Sequence, residues 1–285
     1  MRMHRVPHVP KIGRTLPAAN ARNEQKRRSE NVTGSLDLQV RYFQDSPEVG
    51  LPYREEHFIR RETTMVLPIA QTALVLVDTW DNHFILSWLE RAEQTMRDAV
   101  VPALNGARSA GLTVIHAPSP RVTPSYPEHM ARHLPVGTGE APDWPPADFR
   151  ARQGEHAAFR GPRAQPPGVP DVVIGMSPMI DVRDDEELLE TGDQLHALCE
   201  KRGIVHLIYA GFATNWCILG RNYGMRAMAA RGYNLILLRD ATMGVEYPDT
   251  LDQCMATELA IREAETQLGF SASNSDFLTA CEQNG

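Results

Sequence analysis

The chain lacks the features that would assign it to several large classes. No run of about 18 apolar residues is present, so nothing in it reads as a membrane span. The first 30 residues carry no apolar core and so do not form a Sec-type signal peptide. No GxGxxG follows a strand and no GxxxxGK[ST] occurs, so neither a dinucleotide cofactor nor a phosphate-cradling loop is indicated. The four cysteines, Cys199, Cys217, Cys254 and Cys281, show no CxxC and no metal-ligand spacing. That usage fits a reducing compartment, and the expected location is cytoplasmic. No internal repeat is visible. Of the 29 Lys and Arg residues, 8 lie in the first 30 positions with only 2 of the 36 acids, which leaves 21 bases against 34 acids in the body. An acidic body is a poor partner for nucleic acid. Residues 1–35 read as a disordered basic tail.

What is present is an alternation. Two period-2 runs, Leu36–Phe43 and His57–Leu67, are separated by Pro47, Gly50 and Pro52 and read as a β-hairpin arm over 36–70. A short buried strand, Ala73-Leu-Val-Leu-Val-Asp78, follows. A helical pattern then runs to about Ala110 through Ile85, Leu86, Trp88, Leu89, Met96, Val100, Val101 and Leu104. Leu112–His116 is the next strand. Residues 117–170 hold 12 of the 21 prolines, the composition of a lid or insertion. Val172–Ile174 reads as a strand, Asp184–Arg202 as a helix, and Val205–Ala210 as a strand. A helix beginning around Cys217 comes next, then a strand at Asn234–Leu238, a helix from about Thr250 to Leu268, and a strand or turn within Phe270–Ala280. Strands alternating with helices predict a Rossmann-like three-layer α/β/α fold with a mainly parallel central sheet, formed by a single domain over 36–285. Ligands in such folds sit beyond the carboxyl ends of the strands, where Asp78, His116, Cys217 and Asp240 fall.

Cys217 follows a buried strand and a turn at Gly211. Its place in the first turn of a helix, capped by Thr214 or Asn215, would favour the thiolate through the helix dipole. Asp78, on a neighbouring strand end, is a base to pair with it, and nucleophile plus base is what acyl transfer requires. His116 alone is a weak metal signal, so no metal and no cofactor are expected. His83 and His116 are candidates to line a pocket walled by Trp80, Phe212, Trp216 and Trp144.

Taken together, Leu74-Val-Leu-Val-Asp78 with Phe84, Gly111-Leu-Thr-Val-Ile-His116, Gly211-Phe-Ala-Thr-Asn-Trp-Cys217 and Gly232-Tyr-Asn-Leu-Ile-Leu-Leu-Arg-Asp240 resemble the isochorismatase-like cysteine hydrolases. That superfamily includes nicotinamidases, N-carbamoylsarcosine amidases and ureidoacrylate amidohydrolases. The resemblance spans about Ala73 to Leu238. It implies Cys217 as nucleophile, Asp78 as catalytic acid/base, and a cis peptide at Phe212–Ala213 that turns the Ala213 amide toward an oxyanion hole shared with the Cys217 amide. It also implies a lysine some thirty residues before the cysteine. The chain departs there: its lysines are Lys11, Lys26 and Lys201, two in the tail and one at the far end of a helix. Arg183 is the nearest cation to the vacated place and His116 the fallback. An arginine can orient Asp78 but cannot release a proton.

The expected function is cysteine-dependent hydrolysis of a C–N bond in a small amide, imide or ureide through a thioester, by a homo-oligomer that binds no nucleic acid and no membrane. The alternatives are an isochorismatase-type hydrolase of another bond, or a non-catalytic relative acting as a binding or subunit protein.

Overall fold

β1 (Ser35–Gln44) and β2 (Ile59–Pro68) form an antiparallel hairpin in unbroken register from Ser35↔Pro68 to Gln44↔Ile59. The computed structural model describes residues 34–133, 135 and 174–284. The basic tail, most of the proline-rich stretch with Trp144, and the expected strand at Val172 lie outside the described residues. The hairpin is an integral edge of the sheet, because β1 also pairs antiparallel with β8 (Phe270–Ala272) at Arg41↔Ser271. Glu265, fully buried, fastens it: Arg41 Nε donates to Oε1 at 2.5 Å, and Arg60 on β2 lies 3.6 Å from Oε2.

The rest of the sheet is parallel. It contains β3 (Thr72–Val77), β4 (Thr113–Ala117), β5 (Glu187–Leu188), β6 (His206–Phe212) and β7 (Asn234–Met243), and the eight strands lie in the order β2-β1-β8-β7-β6-β3-β4-β5. Period-2 alternation sends Leu74, Leu76, Ile208, Ala210, Ile236 and Leu238 to one face. There they meet α1 (Leu86–Thr95), α2 (Val101–Ser109) and, C-terminally, Phe277 and Ala280 of the last helix. Ala73, Val75, Val77, Leu207, Tyr209, Leu235 and Leu237 take the other face. They pack on Leu195, Leu198, Met225, Met228, Ala260 and Ile261 of three further helices, so the sheet is covered on both sides. Fully burying such a side chain contributes about 1.5–3 kcal/mol, and two covered faces explain why these strands read as continuous apolar runs.

Two helices differ from their sequence reading. The long helix after β3 is interrupted by a π turn, Met96–Val100. Pro102 just beyond it has no N–H to donate back to Asp98 and its ring crowds that carbonyl, so the ladder widens. The helix expected from Asp184 begins only at Gly192. After the short α3 (Pro127–Met130), this is α4 (Gly192–Arg202), with Thr191 and Gln194 closing a capping box. The acids before it are not dipole partners. Glu186 and Glu187 are buried, and Glu187 lies in β5. The later elements are α5 (Met225–Ala230), α6 (Met255–Glu263) and α7 (Asn274–Glu282).

Candidate active site

β3 and β6 are neighbours with Val77 opposite Gly211, so the residues just past their carboxyl ends are brought together. Gly211 permits that approach. Its φ is +105°, and a Cβ there would stand 2.1 Å from the Val77 carbonyl oxygen. The strand carries a register shift between Tyr209 and Gly211, as a β-bulge at a glycine does. We expect Gly211→Ala to lower stability by about 2–5 kcal/mol, from a left-handed penalty of about 1–2 and a steric term of about 1–3. It would also spread Asp78 from Cys217. Denaturant midpoints and activity check this, and an unchanged midpoint would contradict it.

Asp78 follows β3 directly. It adopts φ +46°, a left-handed conformation uncommon for a residue with a side chain. It is 0% exposed. Burial raises its pKa above the ordinary carboxylate value, opposed by the Arg221 charge, the Cys217 thiol and the Ser119 amide. Arg221 Nη2 donates to Asp78 Oδ2 at 3.3 Å. Asp78 Oδ1 is buried and has no hydrogen-bond partner of good geometry, although the thiol lies close to the carboxyl.

Cys217 sits in a single π turn, Thr214–Ile218, after the cis Phe212–Ala213 peptide. Neither residue expected as its cap has that role. Thr214 Oγ1 bonds Thr242 Oγ1, and Asn215 exchanges two hydrogen bonds with the backbone of Val245. The regular helix α5 starts only at Met225, so a helix dipole at Cys217 is weak. The expectation of a resting thiolate is corrected accordingly. Burial first, then the Asp78 charge and hydrogen bond, push the thiol pKa up to about 12, against the opposing pull of Arg221 and the Ala213 amide. The geometry sets a thiol beside a buried carboxyl group, with the Ala213 amide approaching the sulfur.

The cation near the pair is Arg221, not Arg183. Arg183 lies at the other pole of the sheet, in a cleft shared with Gly111, Leu112 and Thr113, which lead into β4. Its amide donates to Glu186 and its carbonyl accepts from His129. His116 is likewise turned away. Its Nε2 donates to Glu186 Oε2 at 2.7 Å, and Arg108 grips the same carboxylate through Nε at 2.6 Å and Nη2 at 3.0 Å. Burial alone would raise the Glu186 pKa, but the hydrogen bonds from His116, Arg108 and the Arg183 amide hold it at about 2. His116 is thus part of an internal ion-pair cluster that braces β4. Asp240 is inside β7, where its Oδ2 caps Asn274 N at 2.8 Å. The remaining candidates do converge. His83 stacks on Trp80 at 5.2 Å, packs at 4.5 Å from Trp88 and lies 6.4 Å from Trp216, while Phe212 meets Trp88 edge-on at 5.7 Å.

The sequence reading missed Arg221, Ser119 and Trp88 as site neighbours. Arg221 had a usable signal: it is four residues past Cys217, and its amide closes on the Cys217 carbonyl at 3.1 Å. Among the described residues, no cluster of three or more His, Cys, Asp or Glu is placed to hold a metal, and no helix is long and apolar enough to cross a membrane.

Comparisons with known proteins give one family match and several distant structural likenesses. Residues 72–259, well over half of the chain, match the isochorismatase domain. No curated protein matches significantly. Among solved structures, a cysteine hydrolase from Pseudomonas syringae pv. phaseolicola aligns at 16% identity and TM-score 0.48, over 76% of this chain and 94% of its own. The nicotinamidase of Staphylococcus aureus aligns at 14% identity and TM-score 0.38, over 70% and 96%. The N-carbamoylsarcosine amidase of Thermoplasma acidophilum aligns at 16% and 0.41, over 72% and 96%. With the match covering both strands that deliver Asp78 and Cys217, the chain belongs to the isochorismatase family of hydrolases.

Proposed function

We propose that the protein hydrolyses a C–N bond in a small amide, imide or ureide, with Cys217 as nucleophile and Asp78 as its proton carrier. The observation that carries this reading is the juxtaposition of a half-buried thiol with a fully buried carboxylate at two adjacent strand ends. Sγ attacks the carbonyl carbon as its proton passes to Asp78. The amides of Ala213 and Cys217 receive the developing oxyanion, an arrangement in which one donor contributes about 10²–10³ in rate. Asp78 then gives the proton to the leaving nitrogen and the C–N bond breaks, leaving a thioester. Water, deprotonated by Asp78, attacks that thioester. The carboxylic acid departs and the thiol regains its proton. A neutral thiol at rest suits this sequence, because the proton leaves only when the carbon–sulfur bond forms. Trp80, His83, Phe212 and Trp216 give the substrate side an aromatic wall.

The test is a screen of small amides, imides and ureides for ammonia or amine release, with Cys217→Ser as blank. Release by the wild type alone supports the reading. Equal release by both removes Cys217 as nucleophile.

We further infer a homo-oligomer built through the arm. β2 is the outer strand of the sheet, Val66 on it is exposed, and Val49, Leu51, Tyr53 and Phe58 are exposed on the loop that leads into it. Native proteins cover or blunt an open strand edge, and the exposed apolar side chains here favour covering by a second copy. Light scattering at working concentration is expected to give a dimer or larger, and a monomer mass would count against it.

A further inference from the structure

We propose that Arg221 is the positioning residue of this site, a fixed cation that holds the Asp78 carboxylate and offsets its charge beside Cys217 without itself carrying a proton. The proposal rests on the Cys217–Asp78 reading above and assigns its charge balance.

Asp78 is wholly buried, and a lone carboxylate in such a place protonates instead of staying charged. Arg221 donates to it, at 3.3 Å from Oδ2. The guanidinium is two-thirds covered, so this is not a screened surface pair. Its frame is rigid. The Arg221 amide is bonded to the Cys217 carbonyl, so cation and nucleophile are referenced to one turn. Two residues on, the Tyr223 carbonyl accepts from the buried Tyr209 hydroxyl at 2.8 Å, and the Tyr223 hydroxyl donates to the Pro118 carbonyl at 3.1 Å. Gly224 then passes so close that a Cβ would stand 2.9 Å from the Cys217 carbonyl oxygen. The groups facing the reacting pair are Arg221 and Tyr223 from this turn, the Ser119 amide from the loop after β4, and the Ala213 amide before Cys217.

A guanidinium does not give up its proton in a protein. Its contribution is therefore electrostatic: it keeps Asp78 ionised as a base and stabilises the thiolate character that grows on sulfur during attack. Among the described residues, Asp78 is left as the proton carrier of the cycle. Placing the cation four residues after the nucleophile, on the same turn, also explains how the pair is supplied with a charge although Lys201, the one lysine among the described residues, lies at the end of α4.

The test is alkylation of full-length protein by iodoacetamide across pH 6–10, with the Cys217 adduct quantified by peptide mass spectrometry and Cys254 as internal control. Arg221→Gln is expected to slow Cys217 alkylation at pH 9 about tenfold or more, since each unit of thiol pKa is tenfold in thiolate. Arg221→Lys is expected to stay close to wild type, and Cys254 to be unaffected throughout. Arg221→Gln leaves Asp78 buried without its cation. If that variant does not fold, Asp78→Asn/Arg221→Gln carries neither charge and is compared with Asp78→Asn, which should alkylate at least about tenfold faster than the double variant. In an active preparation, the acid limb of kcat/KM should move up by about 1–3 pH units in Arg221→Gln. An unchanged Cys217 rate in Arg221→Gln, or equal rates in the single and double variants, overturns the proposal. Failure of the hydrolase reading is a separate result, activity retained by Cys217→Ser, and leaves the alkylation outcome untouched.

Discussion

Cys217→Ala is expected to abolish hydrolysis, by at least about 10³-fold in kcat, while the fold persists. Removing the atom that forms the covalent bond leaves only binding and the oxyanion donors, and effects of this size are usual when a nucleophile is deleted. The structural cost is small. Cys217 is half-buried in a turn held by bonds to the Ala213 carbonyl and by the two hydrogen bonds of Asn215 to Val245, none of which uses the sulfur. Losing one sulfur from such a position costs about 1 kcal/mol. A variant that kept more than about a tenth of the activity would remove Cys217 from its role.

Asp78→Asn is the second large effect, and its signature has three parts. Hydrolysis falls about 10²–10⁴-fold or more, because among the described residues no other base lies beside the thiol to take its proton. The thiol itself becomes easier to ionise, since the carboxylate charge and hydrogen bond that raise its pKa are gone and the Arg221 charge remains. Cys217 alkylation at neutral pH should therefore rise about tenfold or more while catalysis disappears. Stability moves in the unusual direction. The folded-state pKa of Asp78 is raised above its unfolded value, so the carboxyl favours the fold below the unfolded pKa and that contribution is lost as pH rises through the folded pKa. At neutral pH the asparagine is expected to be as stable as the aspartate or more so. A carboxylate kept for structure would show lower stability on substitution.

How far the sequence led is instructive at particular residues. The parallel sheet was legible because strands covered on both faces must be apolar throughout, and the helices between them kept their 3–4 spacing. Asp78 and Cys217 are legible as candidates because one directly follows a buried strand and the other lies in the turn after one, and the structure sets those two strands side by side. Arg183 was misplaced because counting back from Cys217 assumes the chain returns to the catalytic pole, whereas 181–188 runs along the other side and feeds its acids to Arg108, His116 and Arg202. Asp240 was read as a strand end because its charge interrupts an apolar run, yet β7 continues to Met243 and uses the carboxylate as a cap for α7. The start of α4 had the right signal in Thr191 and Gln194, overshadowed by the acids from Asp184 onward. The balance at the thiol turns on the length of its helix: a full helix after the strand favours the thiolate, whereas the chain makes a short π turn next to a buried carboxylate, which raises the thiol pKa.

The covalent step is accessible to one measurement: intact-mass spectrometry of the enzyme quenched in acid during turnover of a hydrolysed amide, followed by peptide mapping. A mass increase equal to the substrate's acyl group is expected, located on Cys217, transient in the wild type and absent from Cys217→Ala. Full-rate hydrolysis with no adduct at any quench time, undiminished in Cys217→Ala, would contradict thioester catalysis by this site.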